Sequence, residues 1–458
     1  MQIHISDNVE VRSDGQKYAL IPIKKDENVI KYGFPIGHAK RDIAGGEMVS
    51  PENLASNLSG ITDWVYSPYN EPEIDKKSGF FSGYKRANGD VGIRNDIWII
   101  PTVGCANSAA KKLAELTGAK AYTHPYGCSQ LGGDLETTQK VLSGLIKHPN
   151  AGGVLVIGLG CENNEIHLMK AALGDYDESR IRFLILQNCE DEIEEGLKII
   201  NELKAIADTD IRTEIPISAL RIGVKCGGSD GYSGITANPL VGLVADEFFK
   251  YDAKILMTEM PEAFGAEQIL LERSDSKESF DAASAMLKGF RQYFIEHGEG
   301  VADNPSPGNI AGGISTLEEK SLGCVQKAGK VTLRGALNFG EMPDGKGGLY
   351  LVNGPGNDQV AVTNLAASGA HIILFTTGRG TPLCGPVPTL KIATTTPIFN
   401  KKPHWMDFNA GEIINGADKT ALTNELFDLI IKTAEGEESL GEKNGYEDIA
   451  IFKDGVTL

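Results

Sequence analysis

Hydrophobic positions along this chain follow two different rhythms. Up to about residue 70 they form short runs broken by Gly and Asp, as in YALIPIKKDENVIKYGFPIGHAKRDIAGGEMVS. Val29, Ile30, Ile36 and Ile43 are spaced like short strands between turns, which predicts a small all-β module over 1–70. The polar, Pro- and Gly-containing stretch that follows reads as a linker over 71–83. From Tyr84 the runs lengthen. DIWIIPTV, AKAYTH, GGVLVIGLG and IRFLILQ are strands, and each precedes a helical pattern. The first of these helices has Asn107 as its N-cap and Gly118 as its stop, and Pro149 ends the second. Strand–helix units in a row predict a doubly wound parallel sheet over 84–220. A second such series opens at RIGVKC and fills 221–458, so the fold class is a small β module followed by two Rossmann-like α/β domains with mainly parallel sheets. Inside it, GEGVADNPSPGNIAGGISTLEEKSLGCVQKAG has the Pro and Gly content of a long functional loop.

Length and charge narrow the partners. At 458 residues the chain exceeds one core. Its net charge of −18, from 44 Lys+Arg against 62 Asp+Glu, disfavours nucleic acid and anionic membrane but leaves room for a small anionic substrate in a locally basic pocket. The longest apolar runs are too short to span a bilayer. The start, MQIHISDNVEVRSD, has neither the basic nor the apolar region of a signal peptide, so a cytoplasmic location is expected. In that reducing compartment the seven Cys are expected to be free thiols or ligands rather than disulfides.

Six of those seven adjoin a Gly: Cys105, Cys128, Cys161, Cys226, Cys324 and Cys384. The first, second, third and fourth of these follow or end a predicted strand. Ligands bind beyond the carboxyl ends of strands in open parallel sheets, so thiols scattered in sequence are expected to converge there. Thiolates suit zinc and iron–sulfur clusters, while the absence of any C-x-x-C argues against a structural zinc. Two other readings of THPYGCSQLGGD stand beside metal ligation. Cys128 is a nucleophile with His124 as its base, or a small residue packed at a turn. Among the other polar clusters, Arg86 and Arg94 flank two Gly, and Arg forks suit carboxylates. KCGGSDGYSGITANP, with Ser229, Asp230 and Asn238, resembles an anion-binding turn before a helix, without being a Walker A motif. Arg379 lies in a Gly-rich loop, Lys391 enters the following strand, and His38, His124 and His404 remain as candidate acids or bases.

HPYGCSQLGGD, GLGCENN, CGGSDGYSGITANP, NPSPGNIAGGISTLEEKSLGCVQK, PGNDQVAVTNLAASGAHIILFTTGRGTP and KPHWMDFNAG together resemble the altronate/galactarate dehydratase family, the altronate branch more than the galactarate branch. The opening module resembles the SAF β-clip domain fused ahead of that core, and the likeness runs over roughly 1–415. It implies loss of water from C2–C3 of a sugar acid to give a 2-keto-3-deoxy acid, with iron as the metal and manganese as an alternative. The iron is either a mononuclear Fe(II) or a cluster on three thiolates. Cys128, Cys226 and Cys324 lead as ligands, followed by Cys105 and Cys161. His124 or His404, or else Lys391, is the implied acid or base, and Arg86, Arg94 and Arg379 the carboxylate clamp. Where the family's SAF module carries the His-rich HVHxHN, this chain has EMVSPEN, Glu47 to Asn53, leaving His38 and Glu52 as substitutes. A sulfolactate sulfo-lyase, a galactarate-type aldarate dehydratase and a non-catalytic metal- or ligand-binding relative are the alternatives. A homo-oligomer is also expected.

Overall fold

The computed structural model describes residues 3–58 and 60–458. The N-terminal module consists of two small antiparallel sheets. One pairs Val9–Val11, Lys17–Ala19 and Met48–Val49, and the other pairs Asn28–Lys31, Phe34–Ala39 and Leu54–Ala55. Its apolar side chains Val9, Val29, Ile36 and Ile43 are buried in the same core as those of the C-terminal domain. The stretch expected as a linker lies against that domain. Lys77 N donates to Lys250 O, and Glu71 pairs with Arg334. A small antiparallel sheet of Phe80–Lys85, Val91–Gly92 and Thr213–Pro216 brackets the next domain at both its ends.

Two parallel sheets carry the α/β pattern. The first has four strands in the order Lys120–Ala121, Asp96–Pro101, Ala151–Gly158, Ile181–Ile185. The second has seven, ordered Leu333–Leu337, Gly348–Val352, Lys254–Met257, Arg221–Cys226, Ile372–Thr377, Thr389–Ala393, Phe408–Asn409. Arg221–Cys226 lies mid-sheet, and the chain winds outward from it first to one side and then to the other. This reversal opens a crevice at its carboxyl end. The strand is buried along its whole length, as a doubly covered parallel strand must be. The sheets are joined where helix Gly132–Ile146 meets helix Asp358–Ala367. A Cβ on Gly144 would lie 2.1 Å from Ala367 O, so that contact requires Gly.

One expected loop is about half helical. Residues 298–329 contain helices Pro307–Ala311 and Leu317–Cys324 and a helical turn Val325–Ala328. Thr316 caps Leu317–Cys324 by accepting from Glu319 N. All eight of its residues are buried, Glu318, Glu319 and Lys320 included. A helix buried all round with charges inside has no amphipathic stripe, and the sequence pattern misses it for that reason. No helix among the described residues is long and apolar enough to cross a membrane.

Candidate active site

The chain turns three times at the carboxyl edge of the seven-stranded sheet. Strand Arg221–Cys226 ends on the thiol and runs into Gly227 and Gly228. Strand Lys254–Met257 continues through Glu259 to Glu262. Glu259 sits at φ 68°, a left-handed conformation that costs a non-Gly residue about 1–3 kcal/mol, and such strain collects at functional sites. Helix Leu317–Cys324 and its extension bring Lys320, Cys324 and Lys327, spaced i, i+4 and i+7, onto one helical face.

These side chains meet in a closed cluster. Cys226 Sγ and Cys324 Sγ are 3.2 Å apart, and Glu262 Oε2 lies 3.4 Å from the first and 3.3 Å from the second. Among the described residues this is the one trio of His, Cys, Asp or Glu whose ligand atoms gather within 4.8 Å. Lys327 Nζ donates to Cys226 Sγ at 2.9 Å, and Lys320 Nζ donates to Glu262 Oε1 at 2.7 Å and to Asn304 Oδ1 at 3.2 Å. Glu259 accepts from Cys226 N at 3.0 Å. Lys225 Nζ lies 3.0 Å from Glu259 Oε1 and 2.5 Å from Asp358 Oδ1. All of these groups are buried except Asn304, which is half-buried, and the Asp358 carboxylate, which is 36% exposed.

Charge sorts their protonation. The contact with the Cys324 thiol, aided by the Lys327 ammonium, holds Cys226 below the ordinary thiol value against the opposing effect of burial. The same contact and burial push Cys324 well above it. Burial alone would raise Glu262, but Lys320 and Lys327 outweigh it and bring that carboxyl down to about 2. Burial also works against a charged Lys327, and the two cysteines with Glu259 and Glu262 override it, so the ammonium persists. Suppose both thiols deprotonate. Cys226, Cys324, Glu259, Glu262 and Asp358 then carry five negative charges against three positive ones on Lys225, Lys320 and Lys327. That state, with a deficit of 5 − 3 = 2, is the one a divalent cation would create by displacing both thiol protons; without it, burial raises Glu259 and the contact with Cys226 together with burial raises Cys324, so both tend to keep a proton. Two soft thiolates with one carboxylate, open on one side, form a donor set suited to a first-row transition ion.

The open side is a cleft of about 960 Å³. Gly227, Glu262, Lys320, Asn304 and Asp358 line it, so the trio sits directly behind its wall. His297 is on the rim, with Nδ1 against Tyr293 O at 2.8 Å and Nε2 against Asp454 at 2.9 Å.

The sequence candidates fall into four groups. Cys226 and Cys324 are in the cluster. Ser229, Asp230 and Asn238 are beside it, lining with Cys324 and Lys320 a void of about 10 Å³, room for about one water. Arg379 is exposed and lines a separate pocket of about 440 Å³ at the junction with the N-terminal module. The others are placed elsewhere. Arg86 is used up on Pro149 O, Asn95, Arg94 O and Asp210, and Arg94 on Glu442 and three backbone carbonyls. Both therefore bind protein groups instead of facing the cleft. His124 is buried, its Nε2 on Pro101 O at 2.8 Å and its Nδ1 accepting from Tyr126 N. Lys391 is buried against Thr381 O and Cys384 Sγ. His404 is exposed. His38 contacts Asn57 Oδ1 at 2.7 Å, and Glu52 sits in the turn that Asn53 closes through Ser50 N and Met48 O. No residue of Glu47–Asn53 lines the cleft. Cys105, Cys128 and Cys161 are exposed at the edge of the four-stranded sheet. Sequence reading missed Lys225, Glu259, Glu262, Lys320, Lys327 and Asp358. For two of them the i, i+4, i+7 spacing around Cys324 was the available signal.

Family models cover nearly the whole chain. That described as D-galactarate/Altronate dehydratase, C-terminal, matches 217–457. The second domain of D-galactarate dehydratase/Altronate hydrolase matches 83–208, and the Altronate/galactarate dehydratase SAF domain matches 1–57. The altronate dehydratase of Bacillus subtilis (strain 168) is 47% identical over 98% of this chain and 94% of its own. That of Escherichia coli (strain K12) is 45% identical over 99% and 94%. The galactarate dehydratase (L-threo-forming) of Escherichia coli (strain K12) is 30% identical over 94% and 87%.

Proposed function

The chain belongs to the D-galactarate/altronate dehydratase family, and from that premise we propose that it is a hydro-lyase taking water from C2–C3 of an altronate-type aldonate to leave a 2-keto-3-deoxy acid. The observation that carries this reading is the Cys226–Glu262–Cys324 trio behind the cleft, whose three ligand atoms gather within 4.8 Å. We assign those three residues to a divalent ion, iron before manganese because two of the three donors are soft. When bound, the ion supplies Lewis-acid stabilisation of the charge that develops on the carboxylate and the departing oxygen.

The chain's own groups do the rest. The Lys320 ammonium, held between Glu262 and Asn304 and kept charged by Glu262 and the two thiols against the effect of burial, faces the cleft as a positive hydrogen-bond donor to the leaving hydroxyl oxygen. Asp358, the carboxylate that also lines the cleft, accepts the C2 proton while Lys225 fixes its orientation. A Cβ on Gly227 would lie 2.5 Å from Asp358 Oδ1, so Gly is what lets the carboxylate lie against the strand end. Asn304 and Ser306 provide neutral partners for substrate hydroxyls.

The test is anaerobic purification, chelation, and titration with Fe²⁺, Mn²⁺ or Zn²⁺, with keto acid measured on altronate, galactarate and sulfolactate. Keto acid from altronate with Fe²⁺, lost in Glu262→Gln and Cys324→Ser together with the iron, is the expected result. No keto acid from any sugar acid, or iron and turnover unchanged in both variants, refutes the assignment. Sulfite from sulfolactate alone would move the chain to the C–S lyases.

A further inference from the structure

We propose that the four-stranded domain holds a second, separate thiolate site, which takes a [4Fe–4S] cluster through Cys105, Cys128 and Cys161. Strands Lys120–Ala121, Asp96–Pro101 and Ala151–Gly158 are adjacent and parallel, and the chain leaves the carboxyl end of each into a Gly-Cys turn. Neighbouring strands are about 4.8 Å apart, so the three turns share roughly 10 Å of sheet edge. They are also tied to one another. Gly104 N donates to Tyr126 O at 2.8 Å, Asn164 N to Gly127 O at 2.9 Å, Ser129 N to Asn163 Oδ1 at 2.7 Å, and Asn164 Nδ2 to Thr102 O at 3.1 Å. Gly127 has φ 98°, and a Cβ there would lie 1.9 Å from Thr102 O, so only Gly allows the second turn to close on the first.

The thiols on this edge face solvent, whereas Cys189, Cys226, Cys324 and Cys384 are partly or fully buried. A packing cysteine is buried, and these three make only loose contacts: Gln187 Nε2 is 3.5 Å from Cys161 Sγ and Ser129 Oγ 3.9 Å from Cys128 Sγ. Harder donors nearby are already committed. The Glu162 carboxylate accepts from Thr102 Oγ1 and from the backbone N–H groups of Leu159, Gly160 and Cys161, and both His124 nitrogens are engaged. That leaves a purely thiolate set, the chemistry of iron–sulfur clusters. The three sulfurs do not gather within the 4.8 Å that the Cys226 trio meets. Ligands on separate irons of a cubane need not, whereas ligands of one ion must. Two buried polar atoms on the same turns, Gln130 Nε2 and Asn164 Oδ1, have no partner. The amide donor is of the kind that hydrogen-bonds cluster sulfur.

Three thiolates leave the fourth iron without a protein ligand. Leu458 N donates to Ser129 O beside Cys128, and Phe452, six residues earlier, lines the substrate cleft. An extended segment of that length reaches about 20 Å at most, which bounds the distance from the Ser129 turn to Phe452 on the cleft wall. Loading is a ligand exchange. Three external thiolates on a preformed cluster depart, each carrying the proton of the cysteine thiol that replaces it, and no electron moves.

The full chain, anaerobic and reduced, is mixed with a preformed [4Fe–4S] tetrathiolate complex, desalted, and assayed for iron, acid-labile sulfide, visible absorption and, after one-electron reduction, EPR. About four irons and four sulfides per chain are expected. They should be lost from the Cys105→Ser/Cys128→Ser/Cys161→Ser variant and retained in Cys226→Ser/Cys324→Ser, with circular dichroism showing both folded. Sulfide absent from the wild-type chain, retained in the triple variant, or lost only with Cys226 and Cys324 overturns the proposal. Because Fe²⁺-dependent keto-acid formation is measured without sulfide, failure of this site and failure of the dehydratase reading are told apart.

Discussion

At the scale of single residues, the site is a problem of burying charge. Lys327 touches Cys226 Sγ and lies 3.5 Å from Glu259 Oε2, and it is buried completely. Lys327→Met removes one member of this group and leaves carboxylate and thiolate uncompensated. The cost is about 3–5 kcal/mol of stability, to be read from the urea midpoint of the metal-free chain. Cys226 was legible from the sequence because it ends an apolar run next to Gly. Glu262 was not. It is 36 positions from Cys226 along the chain, and nothing in TEMPEAF distinguishes it from a solvated Glu. Arg86 and Arg94 are the converse case, since their residue type suits a carboxylate and the fold supplies them with protein acceptors.

At the scale of elements, helix Leu317–Cys324 links module and site. Its Glu319 takes Lys17 Nζ at 2.8 Å and Lys31 Nζ at 2.7 Å from the N-terminal module, all three side chains being buried. The next residue, Lys320, and the helix's last, Cys324, carry the site. Glu319→Gln leaves two buried ammonium groups without their carboxylate, so the module is expected to undock. Limited proteolysis should then cut within residues 60–79 many times faster than in the wild-type chain. A turn at the other side of the site gives a contrasting expectation. Gly227→Ala forces the Asp358 carboxylate away from the strand end without touching the core. Turnover should fall on the order of 10-fold or more by lost positioning, with the melting temperature little changed. The parallel strands were readable because burial on both faces makes them continuous apolar runs. The helix was not, because its charges are inside.

At the scale of the whole molecule, three histidines are buried neutral. Burial holds His124 down to about 4, burial and Arg221 hold His148 down to about 3, and the same two causes put His371 well below its ordinary value. Each binds a proton in the unfolded chain below about 6.5 and not in the folded one. The stability they contribute is therefore complete above about 6.5 and is lost as the pH falls towards 4. The loss is roughly 1 kcal/mol per pH unit for each histidine. Denaturant unfolding at stepped pH should show this slope, and replacing His124 with Gln should remove about a third of it.

The sequence alone determined the order of elements, the two parallel-sheet series, the small β module and the family, because these depend on local periodicity and long contiguous motifs. It also determined that thiols would stand at strand ends. Only the tertiary structure decided which of them meet. Cys226 and Cys324 are 98 positions apart and come within 3.2 Å because a mid-sheet strand and a fully buried helix converge at the carboxyl edge. Cys105, Cys128 and Cys161 stay on the edge of the other sheet. Which strand lies beside which is a property of the sheet order, and no stretch of chain encodes that by itself.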